Sequence, residues 1–429
     1  MSLRLDKGKL VFLLAGCCLA LAVWPAAADN WPRFRGPNGT GVTADPNVPL
    51  QWNDKEGVAW KTPLPGTGNS SPVVWGEHVF VQSATEDGKE RMLLCLSAAD
   101  GKILWSRSIP GVPFKFVNKY NTYASCTPAV DGERVYNIFW DGVGETVHAY
   151  DFKGNLLWQY NLGPFKSQHG AGASPIVYDG KVIINHDQDG AAVVIALDAK
   201  TGKPVWQAKR EGVRVCYSVP FLLERPGEPV QLIVASTPGI TAYNPADGTE
   251  LWTYHWTFSG MRLRTVGSPL YHQGLIFATS GDGSGLRHMI AVKAGGKGDV
   301  SQTHLAWQSQ DRALLPYVPT ILAHGDHLYY VNDAGLACCV EAKSGKVVWK
   351  ERMGGEVSAS PVLIDGKVVA VDREGEVYVF AASPAGFKLL AKNSLGESTR
   401  ATPAVADGRL FFRGAKHLFC IAKAAGKSK

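Results

Sequence analysis

The phrase "SPIVYDGKVIINH", Ser174 to His186, returns almost unchanged as "SPVLIDGKVVAVD", Ser360 to Asp372. Its head, a serine, threonine or valine followed by proline and an apolar run, occurs eight times. The prolines are Pro72, Pro128, Pro175, Pro220, Pro269, Pro319, Pro361 and Pro403, spaced 42 to 56 residues apart. A unit of that size cannot bury a core alone, so the chain is restricted to stacked helical pairs or propeller blades.

The content of the unit decides between them. After each proline comes a short apolar run and a turn often spelled Asp-Gly, as at Asp179-Gly180, Asp365-Gly366 and Asp407-Gly408. Asp-Gly between apolar runs predicts a two-residue hairpin, in which both turn residues need positive φ. A second glycine turn follows ("DQDG", "NDAG", "DREG"). Then come a third run and a polar turn ending on tryptophan, as in "DAKTGKPVW" and "EAKSGKVVW". No segment keeps a helical period. Four antiparallel strands per unit make one blade, and the chain reads as an all-β, eight-bladed propeller. The head proline suits the innermost strand, an edge that lines the channel and gains from a residue without a donor.

The eighth copy ends about 25 residues after Pro403, too soon for a fourth strand. "VAWKTPLPG", Val58 to Gly66, carries the missing tryptophan at the other end of the chain. The N-terminal strand is therefore expected to complete blade eight and close the ring. Trp60, Trp105, Trp158, Trp206, Trp252, Trp307 and Trp349 are expected to wedge between blades. Truncation of one should cost roughly 3–5 kcal/mol. Blade seven has the apolar "FKLLAK" instead. Cys95, Cys339 and Cys420 share one third-strand position with Ala196, which predicts small core residues rather than ligands.

Outside the propeller (residues 58–425) lie three pieces. Residues 1–28 have a basic start, an apolar run from Leu10 to Trp24 and Ala26-Ala27-Ala28 before Asp29. This is the layout of a signal peptide, and the run is too short for a comfortable transmembrane helix. The alternative is a lipid anchor at Cys17. Either way the protein is expected to be exported, to the periplasm or beyond. Its loss removes three basic residues and one acid, lowering the formal charge from +6 to +4. So mild a charge offers nothing to nucleic acid. Residues 29–57, opening "NWPRFRGPNGTGV", place Trp31 and Phe34 among turn-formers and are expected to pack on the propeller. Residues 426–429 are a basic tail.

The tryptophan-ended turn resembles the docking motif of the PQQ-like, or quinoprotein-type, propeller family. That family contains both dehydrogenases using pyrroloquinoline quinone (PQQ) with calcium and the non-catalytic envelope scaffold BamB. The opening of the mature chain is similar to exported bacterial propellers of the same family. The dehydrogenases would imply a vicinal disulfide, a stacking tryptophan, a calcium-binding carboxylate and amide set, and an aspartate base. The one adjacent cysteine pair of the mature chain, Cys338-Cys339, falls inside a strand, where neighbouring side chains point apart. No base or calcium set can be matched. The expectation is therefore no cofactor and no metal, with PQQ and calcium only under the dehydrogenase alternative.

Strand alternation places the segment before each proline and the second turn of each blade at one channel mouth. These segments carry His169, Arg214, Tyr217, Arg262, Arg264, Tyr317, Arg400 and Arg413, together with Tyr123 and Arg312. Asp187, Asp282, Asp372 and Glu397 join them. Guanidinium groups around a closed mouth would attract carboxylate, phosphate or sulfate. "HDQDGA" and "SGDGSG" lack the spacing of a calcium loop, and no nucleophile or phosphate-loop motif occurs. The reading is an exported scaffold or binding protein, expected to be monomeric, with an envelope protein or anionic polymer as partner.

Overall fold

Asp179, Asp365 and Asp407 adopt φ of 45°, 45° and 47°, and the glycines after them 69°, 72° and 70°. In this computed structural model those turns close the first hairpins of blades three, seven and eight. The structure describes residues 30–423 apart from 54–55, 116–120, 257, 259–261 and 284. The signal segment, Cys17 and the basic tail lie outside the described residues. Among the described residues no helix is long and apolar enough to cross a membrane.

The chain is all-β, with eight four-stranded antiparallel blades arranged as a propeller. Blade three shows the pattern: Ile176–Tyr178, Lys181–Asp187, Ala192–Asp198 and Pro204–Arg210 pair in sequence order. Its inner strands are buried and its outer strand alternates between buried and exposed. Blade eight is closed by the N-terminal strand Val58–Pro63, which pairs antiparallel with His417–Ala422. Two blades gain a fifth strand in parallel. Val42–Thr43 joins Val362–Ile364 of blade seven, and Gly298–Asp299 joins Glu250–His255 of blade four.

Six tryptophans join neighbouring blades in one way. Trp60, Trp105, Trp158, Trp206, Trp307 and Trp349 donate through Nε1 to Ala98, Phe152, Ala199, Pro245, Ala342 and Ser383 carbonyls at 2.8–3.1 Å. Each acceptor lies in the last turn of the next blade. At Gly202 (φ +70°) a Cβ would come within 2.4 Å of the Trp158 ring, so the turn glycine also makes room for the indole. Opposite the tryptophan the third strand carries a small residue. The pairs Cys95 with Trp105, Cys339 with Trp349 and Cys420 with Trp60 match Ala196 with Trp206.

Trp252 departs from the pattern. Its Nε1 donates to Gln231 Oε1 at 2.8 Å within its own blade, where the added strand at Gly298–Asp299 pairs with it. In blade seven the position holds Ala391, opposite Val379. There Trp52 of the N-terminal extension supplies an indole. Its backbone N donates to Asn393 Oδ1 of blade seven at 2.9 Å, and its ring lies 5.7 Å from that of Phe412 in blade eight.

A hydroxyl belt circles the channel. Backbone N–H groups of Ser71, Thr127, Val219, Ser268, Thr320, Ser360 and Thr402 donate at 2.9–3.1 Å to the hydroxyl at the same position of the next blade. At Val219 no hydroxyl stands to receive the link from Ser174. The belt also corrects the register of the sixth repeat. His324 pairs with His327 across Gly325-Asp326, as Ile364 pairs with Lys367 across Asp365-Gly366. Counting back, Ile321 stands where Pro361 stands, and Pro319 lies two residues early. Seven blades, not eight, thus carry proline at the head position.

Candidate functional site

Residues 30–47 cross one end of the channel. Trp31 forms a bridge with Val74 of blade one, and Pro32 accepts from Val130 N of blade two at 2.9 Å. Asn38 both donates to and accepts from Leu222 of blade four, at 2.7 and 2.8 Å. Farther on, Asp45 accepts from Gly408 N of blade eight at 2.7 Å. Two buried arginines hold this segment to carbonyls on the inner edges of the blades. Arg33 donates to Pro220 O. Arg35 donates to Pro361 O at 2.8 Å and Ile321 O at 3.0 Å, equivalent positions of blades seven and six. Burial pulls both guanidinium groups well below the ordinary arginine value, to about 9, so they stay charged at neutral pH.

Phe34 lies between these arginines in sequence and lines the channel lumen. It forms part of a cavity of about 300 Å³ that runs to the opposite end. Phe34 at the closed end is followed by Val219 and the belt hydroxyls, and Ala171, Val266 and Val318 add apolar surface to the wall. His169, Tyr217, Arg264, Tyr317, Arg400 and Arg373 lie in the upper wall, with Asn69 and Asn121. No carboxylate stands among the described lining residues.

Five of the residues expected at the mouth therefore meet there: His169, Tyr217, Arg264, Tyr317 and Arg400. Arg264 is only 4% exposed. Strand-like pairing of its backbone with Gly281 fixes its position. With its amide oxygen facing the guanidinium, Gln168 accepts from Nη2 at 2.8 Å, while Nε is buried without a partner. The Nδ1 atom of His169 is likewise buried without a partner. Burial first, then the charge of Arg264, hold its imidazole below the ordinary histidine value, while Asp189 pulls the other way and Arg214 adds a smaller push down. Tyr217 OH lies 3.0 Å from Ser167 Oγ and 3.0 Å from Gly170 O. The guanidinium of Arg287 sits 4.7 Å from the ring centre of Tyr317.

Three of the expected residues do not line the cavity. Arg413 is buried between blades eight and one, where it donates to Gln82 O and Ser83 Oγ. It completes the second strand of its blade, so its side chain turns to the neighbouring blade rather than to the lumen. Arg262 forms an exposed ion pair with Glu211 at 2.7 Å. The Arg214 guanidinium reaches the Arg262 carbonyl at 3.2 Å on the outer rim. Tyr123 packs under Arg91, with its hydroxyl bonded to the backbone of Phe114. The carboxylates are held by turns. Asp372 accepts from the backbone of Glu374 and Glu376, and Glu397 from Lys416 and His417. Asp187 faces Asn185 and Arg210 in a buried position.

Sequence reasoning did not place Phe34 or Arg373 in the site. For Phe34 no periodicity gave a signal, since it sits in a turn where Arg35 takes a φ of 63°. Arg373 follows a second-turn aspartate, Asp372, and is held by Ser358 Oγ at 2.8 Å and by Glu356.

Cys338 and Cys339 face opposite sides of their strand, in separate apolar clusters. Burial raises their thiols to about 12 and about 11. Among the described residues no three His, Cys, Asp or Glu side chains converge on a metal position.

Comparison with known proteins places this geometry in a family. The family model described as outer membrane protein assembly factor BamB matches residues 42–116, 95–225, 143–306 and 291–385. The outer membrane protein assembly factor BamB of Shewanella oneidensis is 24% identical over 204 residues, 45% of this chain and 49% of the relative. The match thus spans about half the length of that relative. Among solved structures, BamB from Moraxella catarrhalis superposes with a TM-score of 0.58 at 15% identity, covering 86% of this chain and 99% of that one. A europium-containing methanol dehydrogenase superposes with 0.63 at 12% identity, covering 92% and 98%. At such identities both show the shared propeller and nothing about chemistry. With the family model matching across most of the propeller, the chain belongs to the PQQ-like β-propeller family.

Proposed function

We propose that this protein is a non-catalytic propeller of the cell envelope that holds a partner through an anionic group taken up at the open end of its channel. One observation carries the reading: a cup with arginines and a histidine in its wall, no carboxylate among the described lining residues, and its own N-terminal segment as floor. Converging cations in a low-dielectric recess favour an anion far more than the same groups on an open surface. The export signal read in residues 1–28 and the family's assembly factors support an envelope setting. An envelope protein or an anionic polymer is the partner class, and the chain acts as a monomer.

The same lining does not fit PQQ with calcium. It offers no indole for stacking and no carboxylate for the metal, and Cys338 and Cys339 point apart. Calorimetric titration of the mature protein tests this reading. Sulfate should bind in a salt-sensitive manner, and PQQ should show no calcium-dependent binding. Tight, calcium-dependent binding of PQQ near one to one would replace the scaffold with an oxidoreductase.

A further inference from the structure

The cup is divided by chemistry as well as closed by shape. Its upper wall holds Arg264, which is 4% exposed with Nε unpartnered, and His169 with Nδ1 unpartnered. The Arg264 Nε–H is a buried donor with no acceptor, which is costly to leave so, and such a group in a native cavity points to a ligand that supplies the missing partner. Phe34 forms an apolar floor beside Val219 and belt hydroxyls whose oxygens already accept backbone N–H groups, and Val266 and Val318 add apolar surface to the wall. A polar solute such as free phosphate would leave that floor in contact with water only. At about 300 Å³ the cavity lies at the small end of ligand sites, large enough for one compact group and too small for a polymer segment.

We propose that the cup takes a single carboxylate joined to a compact apolar group, entering apolar end first. The apolar group rests on Phe34, and the carboxylate is held by Arg264 with His169 beside it. This rests on the reading of the channel as an anion-binding site and names the anion. Arg264 provides a planar fork of donors that suits a carboxylate. The floor comes from the segment that Arg33 and Arg35 pin to the blades, so the exported N-terminus forms part of the binding site. Two sources share this chemistry: a free small organic acid, or the C-terminal residue of a polypeptide.

The test uses the mature full chain and calorimetric titration with acetate, phenylacetate, phenylacetamide, sulfate and a short N-acetylated peptide ending in free phenylalanine. Phenylacetate should bind at least tenfold more tightly than acetate or the uncharged amide. Arg264→Gln should weaken phenylacetate at least tenfold. Arg264→Lys should restore part of the loss, which separates charge from folding failure. Phe34→Ala should weaken phenylacetate about fivefold and leave acetate unchanged. Binding of the peptide at least as tight as that of phenylacetate identifies a chain terminus as the ligand, and binding of phenylacetate alone identifies a small acid. Equal affinity for acid and amide, or an Arg264→Gln protein that is folded and binds normally, would overturn the proposal. Sulfate binding without carboxylate binding would overturn it too, while leaving the anion-site reading intact. No binding of any anion would remove both.

Discussion

At the closed end of the channel, Arg35 donates to Pro361, Ile321, Thr40 and Gly39 carbonyls at 2.8–3.2 Å. At the open end, Arg264 is just as hidden from solvent, yet its Nε has no partner and Gln168 is the acceptor its Nη atoms find. Residue type and burial are the same. What differs is where the hydrogen bonds go. An arginine that saturates its donors on main-chain carbonyls ties segments together, and one that faces a cavity with donors to spare is poised for something else. Arg413 shows that face alone does not decide. It lies toward the open end, but its bonds to Gln82 and Ser83 make it a fastener between blades.

The comparison can be broken by mutation. A blade-to-blade tryptophan, belonging to neither end, sets the scale. Trp158→Ala should lower unfolding stability by about 4 kcal/mol in urea titration, through loss of a large buried ring and its bond to Ala199. Arg35→Ala should follow at about 3 kcal/mol, since it strands carbonyls of three segments at once. A loss under about 1 kcal/mol would mean that the plug is not held as described. The hydroxyl belt offers a gain instead. Val219→Thr keeps the side-chain shape and supplies the missing acceptor for Ser174, and should add about 1 kcal/mol. A loss of stability would place the gap at 219 under some constraint other than the belt.

The smallest effect sharpens the open end. His169 should titrate below the ordinary histidine value in NMR spectra, because burial and then Arg264 disfavour its charged form. Arg264→Gln removes a neighbouring cation, so the midpoint should rise. A bound carboxylate should raise it as well. Affinity must then increase as pH falls through the bound-state pKa and level off below the free-state one. A midpoint unmoved by either change would separate His169 from the site.

The repeat was legible because it is local. Asp-Gly turns, tryptophan-ended strands and the small residue opposite them recur at fixed offsets, and closure of blade eight follows from a strand missing at one end and spare at the other. The irregularities were not legible, because each depends on contacts far along the chain. The indole N–H of Trp252 bonds within its own blade, beside the inserted strand at Gly298–Asp299. Trp52 fills the seam beside Ala391 from more than 300 residues away. Pro319 misled the count because only the register of the following hairpin reveals its two-residue offset. At the mouth, alternation put His169, Tyr217, Arg264, Tyr317 and Arg400 on one face, and the structure brings them to one cavity. Alternation is blind to whether an arginine turns toward the lumen or toward the next blade, which is why Arg413 was misplaced. The floor at Phe34 arises from a segment without strand periodicity, and no repeat-based rule reaches it.

The most direct measurement is urea unfolding of Arg264→Ala and Arg35→Ala side by side, with anion affinity measured on the same samples. Arg264→Ala should stay within about 1 kcal/mol of the parent, since its side chain borders an open cavity and its removal relieves repulsion with neighbouring cations, yet it should lose anion binding. Arg35→Ala should show the reverse ranking, a large loss of stability with the mouth still binding in the folded fraction. Equal losses of stability in the two variants, with binding unaffected by Arg264→Ala, would contradict the division of the channel into a fastened end and a binding end.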